Sequence, residues 1–158
     1  MSETPDRELL RRRALGWSLA CTEIAAGLEL GRDLELSGGG AGADLARVEG
    51  VEALEQSLAI ALTTARGADV FDTEFGFDGI DALAEESEPV MVRERVRISV
   101  IALLRREPRV RRIVDVELAD GRLAAPVAGS RELDVRVAFE AISGDTATAR
   151  LGQVRLGG

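Results

Sequence analysis

Pro108 divides two different apolar rhythms, and no other feature of the chain restricts its fold as much. Upstream of it, Val92, Val96, Val100 and Leu103 or Leu104 recur three and four residues apart, the spacing of one buried helix face. Ser87-Glu88-Pro89 supplies a capping hydroxyl and a proline for the first turn, so the pattern predicts a helix from there to about Arg105. Glu107 stands before the proline and is disfavoured in the helical region, which ends the helix. Downstream, Val110, Val114, Val116 and Leu118 alternate with Arg111, Ile113, Asp115 and Glu117, a strand with one face mostly apolar. Asp120-Gly121 marks a turn. A cleaner alternation follows, with Leu133, Val135, Val137 and Phe139 set against Glu132, Asp134, Arg136 and Glu140. Such a strand suits an antiparallel sheet covered on one face.

The rest of the chain adds a second strong helix. Val51, Leu54, Leu58, Ala61 and Leu62 share one face, with Glu52, Glu55 and Gln56 on the other, and Gly67 offers a left-handed cap after Arg66. Residues 6–13 are charged and read as a short helix or an arm. Leu28-Glu29-Leu30 and Leu34-Glu35-Leu36 flank Gly31-Arg32-Asp33, a small hairpin by its alternation. Ser37 to Gly42 is a glycine-rich loop. Residues 68–79 form a loop that holds Phe71, Phe75 and Phe77, three of the four Phe residues, and so many aromatics predict that it packs down as a plug. The expectation is an α+β single domain, two main helices on an antiparallel sheet of three to five strands. Residues 1–44 form an N-terminal extension, 45–142 the α+β domain, and 143–158 an edge strand or a tail.

The missing residue types narrow the chemistry. The 158 residues include no Lys, His, Tyr or Asn, so all 20 basic residues are Arg. Schiff-base chemistry and a phosphate-loop lysine are excluded, as are the usual general base near neutral pH and the commonest metal ligand. The loop at 37–42 is therefore no phosphate cradle. Cys21 is the single cysteine and cannot form an intramolecular disulfide or a zinc knuckle. A net charge of −8 argues against general nucleic-acid binding. Arg11-Arg12-Arg13 before the short apolar run that ends at Cys21 has the outline of an export signal, but Gly16 breaks the run. No segment approaches a membrane span. A cytoplasmic protein without cofactor or metal, and not an enzyme, is expected.

Three stretches carry a resemblance. They are Gly50-Val51-Glu52-Ala53-Leu54-Glu55-Gln56-Ser57-Leu58; Leu62-Thr63-Thr64-Ala65-Arg66-Gly67 with Val70-Phe71-Asp72-Thr73-Glu74-Phe75-Gly76; and Glu107-Pro108-Arg109-Val110. In this order they resemble the baseplate wedge and sheath-initiator family of contractile phage tails, type VI secretion systems and extracellular contractile injection systems. The resemblance covers residues 45–142 and departs from the family at Ala68-Asp69, where a Glu-Arg pair is usual. It implies a structural protein, in multiple copies within a six-fold baseplate in the cytoplasm, that docks on wedge proteins and presents a strand to sheath subunits. The residues it singles out for partner binding are Glu107, Pro108, Arg109 and Arg111, with Val135, Val137 and Phe139 on a strand available for β-augmentation.

Each feature also has a plainer explanation. Glu107-Pro108-Arg109 is equally a helix stop with an internal ion pair. The arginines between Arg93 and Arg112 form either a solvated face or a docking surface for an acidic partner. Asp72, Glu74, Asp78 and Asp81 lack the order of a calcium loop. Two other functions compete. A glycosidase needs two carboxylates at a set distance and aromatic sugar platforms, and one Trp with no Tyr supplies few. A regulatory protein-binding module of similar fold, of the anti-adaptor type, is the other alternative.

Overall fold

The computed structural model describes residues 5–25, 28–38, 42–79, 88–120 and 132–155. It is α+β, with three helices and antiparallel strands among the described residues, and divides into two compact units, Met1–Gln56 and Ser57–Gly158.

The first unit opens with α1 (Pro5–Leu15), which has Asp6 and Glu8 in its first turn and Arg12 and Arg13 in its last. That order complements the helix dipole. Gly16, at φ +77°, ends the helix by donating its N–H to the Arg12 carbonyl at 3.0 Å. Three short antiparallel pairs follow. Strand β1 (Trp17–Leu19) pairs with β6 (Arg47–Glu49), β2 (Cys21–Ala25) with β3 (Leu28–Leu34), and β4 (Leu36–Ser37) with β5 (Asp44–Leu45). The pairs meet at three residues that lie outside every strand. The Ala20 N–H donates to Ala46 O at 2.9 Å, the Ala46 N–H to Glu35 O at 2.8 Å, and the Glu35 N–H to Ala20 O at 2.9 Å. The three residues close a ring of backbone hydrogen bonds, and one β-pair leaves from each side. The hairpin expected around Gly31-Arg32-Asp33 is thus corrected. Leu28–Leu34 is one continuous strand, and Leu28 pairs with Ala25 of β2 just as Arg32, Asp33 and Leu34 pair with Glu23, Thr22 and Cys21.

Helix α2 (Gly50–Thr63) belongs to both units, and its Ala53, Leu54, Leu58 and Leu62 are buried. Gln56, expected on its polar face, instead clamps the first unit. Its Nε2 donates to Leu19 O at 2.7 Å and to Ser18 Oγ at 3.4 Å, while its Oε1 accepts the Cys21 N–H at 2.8 Å. The opposite amide orientation would set donor against donor, so the network fixes the side chain. These contacts straddle Ala20 and hold the ring of hydrogen bonds in place. Trp17 stays exposed, with the Arg47 guanidinium 4.7 Å from its ring centroid.

The second unit contains α3 (Pro89–Arg106) and a three-stranded antiparallel sheet in the order β7 (Val110–Asp120), β8 (Glu132–Ala141), β9 (Thr146–Arg155). The helix starts one residue later than expected. Glu88 is the N-cap, makes no side-chain cap hydrogen bond, and is followed by Pro89; Ser87 lies outside the described residues. Val92, Val96, Val100, Leu103 and Leu104 are all buried, as their spacing requires. From β8 to β9, large side chains face small ones. Phe139 pairs with Ile113 on one side and Ala147 on the other, and Val137 pairs with Val116 and Ala149. This grading lets a core with few aromatics close over the sheet.

Strand β7 departs from simple alternation. Register shifts fall between Val110 and Arg112 and between Ile113 and Asp115, so Arg111 and Val114 are extra residues opposite β8. Each bulge changes the face on which the following residues fall. Val114, expected inside with Val116, is therefore exposed, and Ile113, expected outside, is half-buried. Asp120 is the last residue of β7, and Gly121, the rest of the turn expected at Asp120-Gly121, and the Leu133 side chain lie outside the described residues. Residues 146–155, expected as an edge strand or a tail, form β9.

Two outcomes follow for stability. Gln56→Ala strands the Leu19 carbonyl and the Cys21 N–H and costs about 1–3 kcal/mol in urea unfolding. Val116→Ala costs roughly 2 kcal/mol or more, whereas Val114→Ala stays within about 0.5 kcal/mol, a contrast that unfolding midpoints measure and that regular alternation would not produce.

Candidate functional site

The helix stop before Pro108 is built around one carboxylate. Glu107 leaves the helix with extended backbone (φ −79°, ψ 110°) while its N–H still reaches Leu104 O at 3.3 Å. Its side chain turns toward Arg109. Oε1 accepts Arg109 Nε at 2.7 Å and the Arg109 backbone N–H at 3.1 Å, and Oε2 accepts Nη2 at 2.9 Å. The pair is a bidentate fork with a third bond to backbone. Beyond it, the Val110 N–H donates to Glu107 O and the Ile142 N–H to Arg109 O, which ties the stop to the start of β7 and the end of β8. Burial pushes the Glu107 carboxyl up, but the hydrogen bonds and the charge of Arg109 outweigh it and hold the pKa below the ordinary value. Arg109 is raised, its bonds to Glu107 outweighing its own burial.

The loop after α2 is shaped by backbone pairing at its base. The Phe77 N–H donates to Thr64 O at 2.8 Å, the Arg66 N–H to Phe77 O at 3.1 Å and the Gly67 N–H to Phe75 O at 3.4 Å. Gly76 passes so close that a Cβ there would lie 2.6 Å from Thr64 O and 2.9 Å from Ala65 O, and its φ of +103° suits glycine alone. Arg66 pairs with Glu74 and lies 3.7 Å from Asp78, and Arg106 Nη1 donates to Glu74 O at 3.4 Å. This base folds Phe77 into the core and half-buries Phe75. Phe71, expected as a third plug, is corrected: it is 98% exposed. Hydrogen bonding at the tip turns the chain outward there.

Loop, helices and helix stop enclose a groove of about 460 Å³. Leu58, Ile60, Ala61 and Leu103 supply apolar walls; Asp72, Glu74, Arg106, Glu107 and Arg109 supply charge. Ser57 and Leu58 end the first stretch of the family resemblance, Asp72 to Gly76 the second, and Glu107 and Arg109 belong to the third. Residues up to 52 positions apart (57 to 109) thus line one feature.

The other expected contact residues separate. Pro108 is exposed beside the groove residues Glu107 and Arg109. Arg111 is exposed and bonds Glu140 Oε1 at 3.3 Å, and Arg112 holds Glu140 Oε2 at 3.0 Å. Val135, Val137 and Phe139 are corrected as contact residues: they are fully buried on β8, the central strand. Both ladders of β8 are occupied, so among the described residues the sheet edges are β7 and β9. The sequence signal missed here was strand order, which alternation does not encode.

Among the described residues, no group of three or more His, Cys, Asp or Glu is disposed to hold a metal ion, and Asp81 of the acidic series lies outside them. No described helix is long and apolar enough to cross a membrane.

No protein-family model matches the chain, and no curated protein matches it. Among solved structures, it is similar to the crystal structure of a "putative tail lysozyme" from Geobacter sulfurreducens, at 19% identity over 67% of this chain and 88% of that one, with a TM-score of 0.42. A superposition that loose carries no argument about function.

The lowered pKa of Glu107 sets a pH dependence. The folded state binds this proton less tightly than the unfolded chain, so the stabilisation is complete above the ordinary value of 4.5 and is lost as pH falls through the lowered one. Glu107→Gln is expected to lower the thermal midpoint at pH 7, with the gap to the unsubstituted protein narrowing below pH 4.5. A gap that stays constant with pH would contradict the ion pair.

Proposed function

We propose that this protein is a structural component of a contractile, phage-tail-like machine, seated in the baseplate, and that the groove beside Glu107 and Arg109 is its docking face for wedge proteins. The observation that carries the reading is the convergence of all three resembling stretches on that groove. The groove combines apolar area with held charges, the composition of an interface core with a polar margin.

On this reading Glu107 and Arg109 act together. The fork sets a carboxylate and a guanidinium at a rigid angle beside the groove, and the turn holds both without a search over rotamers. Strand addition by sheath subunits falls to β9. The opposite edge of the sheet, β7, carries two bulges against one in β9, and bulges disfavour a further strand. The protein contributes shape and hydrogen-bonding edges to the assembly, acts in the cytoplasm, and catalyses nothing.

A charge exchange separates docking from a purely internal pair. Arg109→Glu alone places two carboxylates together and should abolish incorporation into particles. The double variant Glu107→Arg/Arg109→Glu restores the ion pair though not the bond to the backbone N–H of residue 109, and so recovers part of the thermal midpoint, but presents reversed charge to a partner. Recovery of particles from the native host, with mass spectrometry of sheath and wedge proteins, is expected to stay lost in the double variant. Full recovery of incorporation would reduce the pair to a folding element, and co-purification of a protease adaptor in place of sheath would end the baseplate reading.

A further inference from the structure

Val70 and Phe71 sit at the tip of the loop after α2 and are 83% and 98% exposed. The tip is nonetheless tightly bonded. Asp69 Oδ1 accepts the Phe71 N–H at 2.8 Å and the Asp72 N–H at 3.3 Å; Asp72 Oδ1 accepts the Glu74 N–H at 3.1 Å, and Asp72 O accepts the Phe75 N–H at 3.1 Å. Two successive side-chain-to-backbone turns therefore set the backbone path through Phe71, on a base closed by the Thr64–Phe77 pairing. The same loop buries Phe77, so burial of an aromatic was open to it. It holds Phe71 out instead.

The surroundings state what kind of surface would cover it. Between residues 66 and 78 the chain carries Asp69, Asp72, Glu74 and Asp78 against Arg66 alone. Arg66 and Arg106 engage Glu74 and Asp78, whereas Asp69 and Asp72, on either side of Val70-Phe71, accept only backbone N–H groups among the described contacts. The tip is an aromatic anchor between two carboxylates. An aromatic carried on a preset backbone has only its own rotamers left to fix on binding, and such anchors dominate interface energetics when they fill a pocket.

We propose that Phe71 is the anchor by which this loop docks, entering an apolar pocket rimmed by Arg or Lys on a partner protein. The proposal rests on the docking reading above and adds the chemistry of the partner's surface. Loss of the ring should weaken the complex about 30-fold or more, the change that a hot-spot residue produces. Salt should slow association, since Asp69 and Asp72 steer toward a basic rim.

The test places a photo-crosslinking phenylalanine derivative at position 71 of the full chain in its native host, with the same group at exposed Val90 as control. The crosslinked peptide is then sequenced. The expected result is an adduct, absent from the control, on apolar residues of one partner within a segment that bears Arg or Lys. With that partner purified, Phe71→Ser is expected to weaken binding by the stated factor while leaving the thermal midpoint unchanged. No adduct, an adduct within an acidic segment, an adduct on a second copy of this chain, or undiminished binding by Phe71→Ser would overturn the proposal. A specific adduct on a basic-rimmed pocket of a protein outside any tail-like particle would uphold the anchor and remove the baseplate reading. Particles that assemble normally with Phe71→Ser and yield no adduct would remove the anchor alone.

Discussion

The Glu107–Arg109 fork is the constraint around which the second unit is organised. A helix that stops must release its last carbonyls and re-aim the chain, and here one carboxylate controls both. It bonds the backbone and the side chain two residues on, fixing the direction in which β7 departs. The Ile142–Arg109 hydrogen bond then fixes where β8 ends. A half-buried ion pair is a modest source of stability, since desolvation offsets much of the attraction. Its larger effect is geometric: it makes one exit angle from the helix cheaper than its neighbours.

The groove and the loop tip show two different relations between order and exposure. The loop base is tied by backbone pairing and by a glycine that no other residue can replace without meeting carbonyl oxygens. Its tip, held by Asp69 and Asp72, keeps that order in solvent. The proposed docking face and anchor therefore draw on the same device, local backbone whose freedom is lost during folding and not at binding.

How much of this was legible in the sequence depended on which interactions set each element. The helix face from Val92 to Leu104 was legible because period and burial are the same fact viewed twice. The end at Glu107 was legible because proline acts on its neighbour's backbone. Val114 was misplaced because a bulge is decided by pairing with β8, and nothing within the strand announces it. The hairpin near Gly31 was misread for a related reason: alternation gives strand character but not the partner. Gln56 shows the limit most clearly. On a helix its spacing says solvent, and only the approach of Leu19 and Cys21 makes it a clamp.

By itself the sequence determined the α+β class, the α3 core face, the helix stop and the absence of Lys and His chemistry, because each follows from local sterics, periodicity or residue type. Tertiary structure alone decided that β8 is central and its Val135, Val137 and Phe139 closed to partners, since strand order depends on which edges meet. It also decided that Phe71 points out while Phe77 points in. Both are aromatic residues of one loop, and only the long-range pairing of Phe77 with Thr64 and the turns at Asp69 and Asp72 distinguish them.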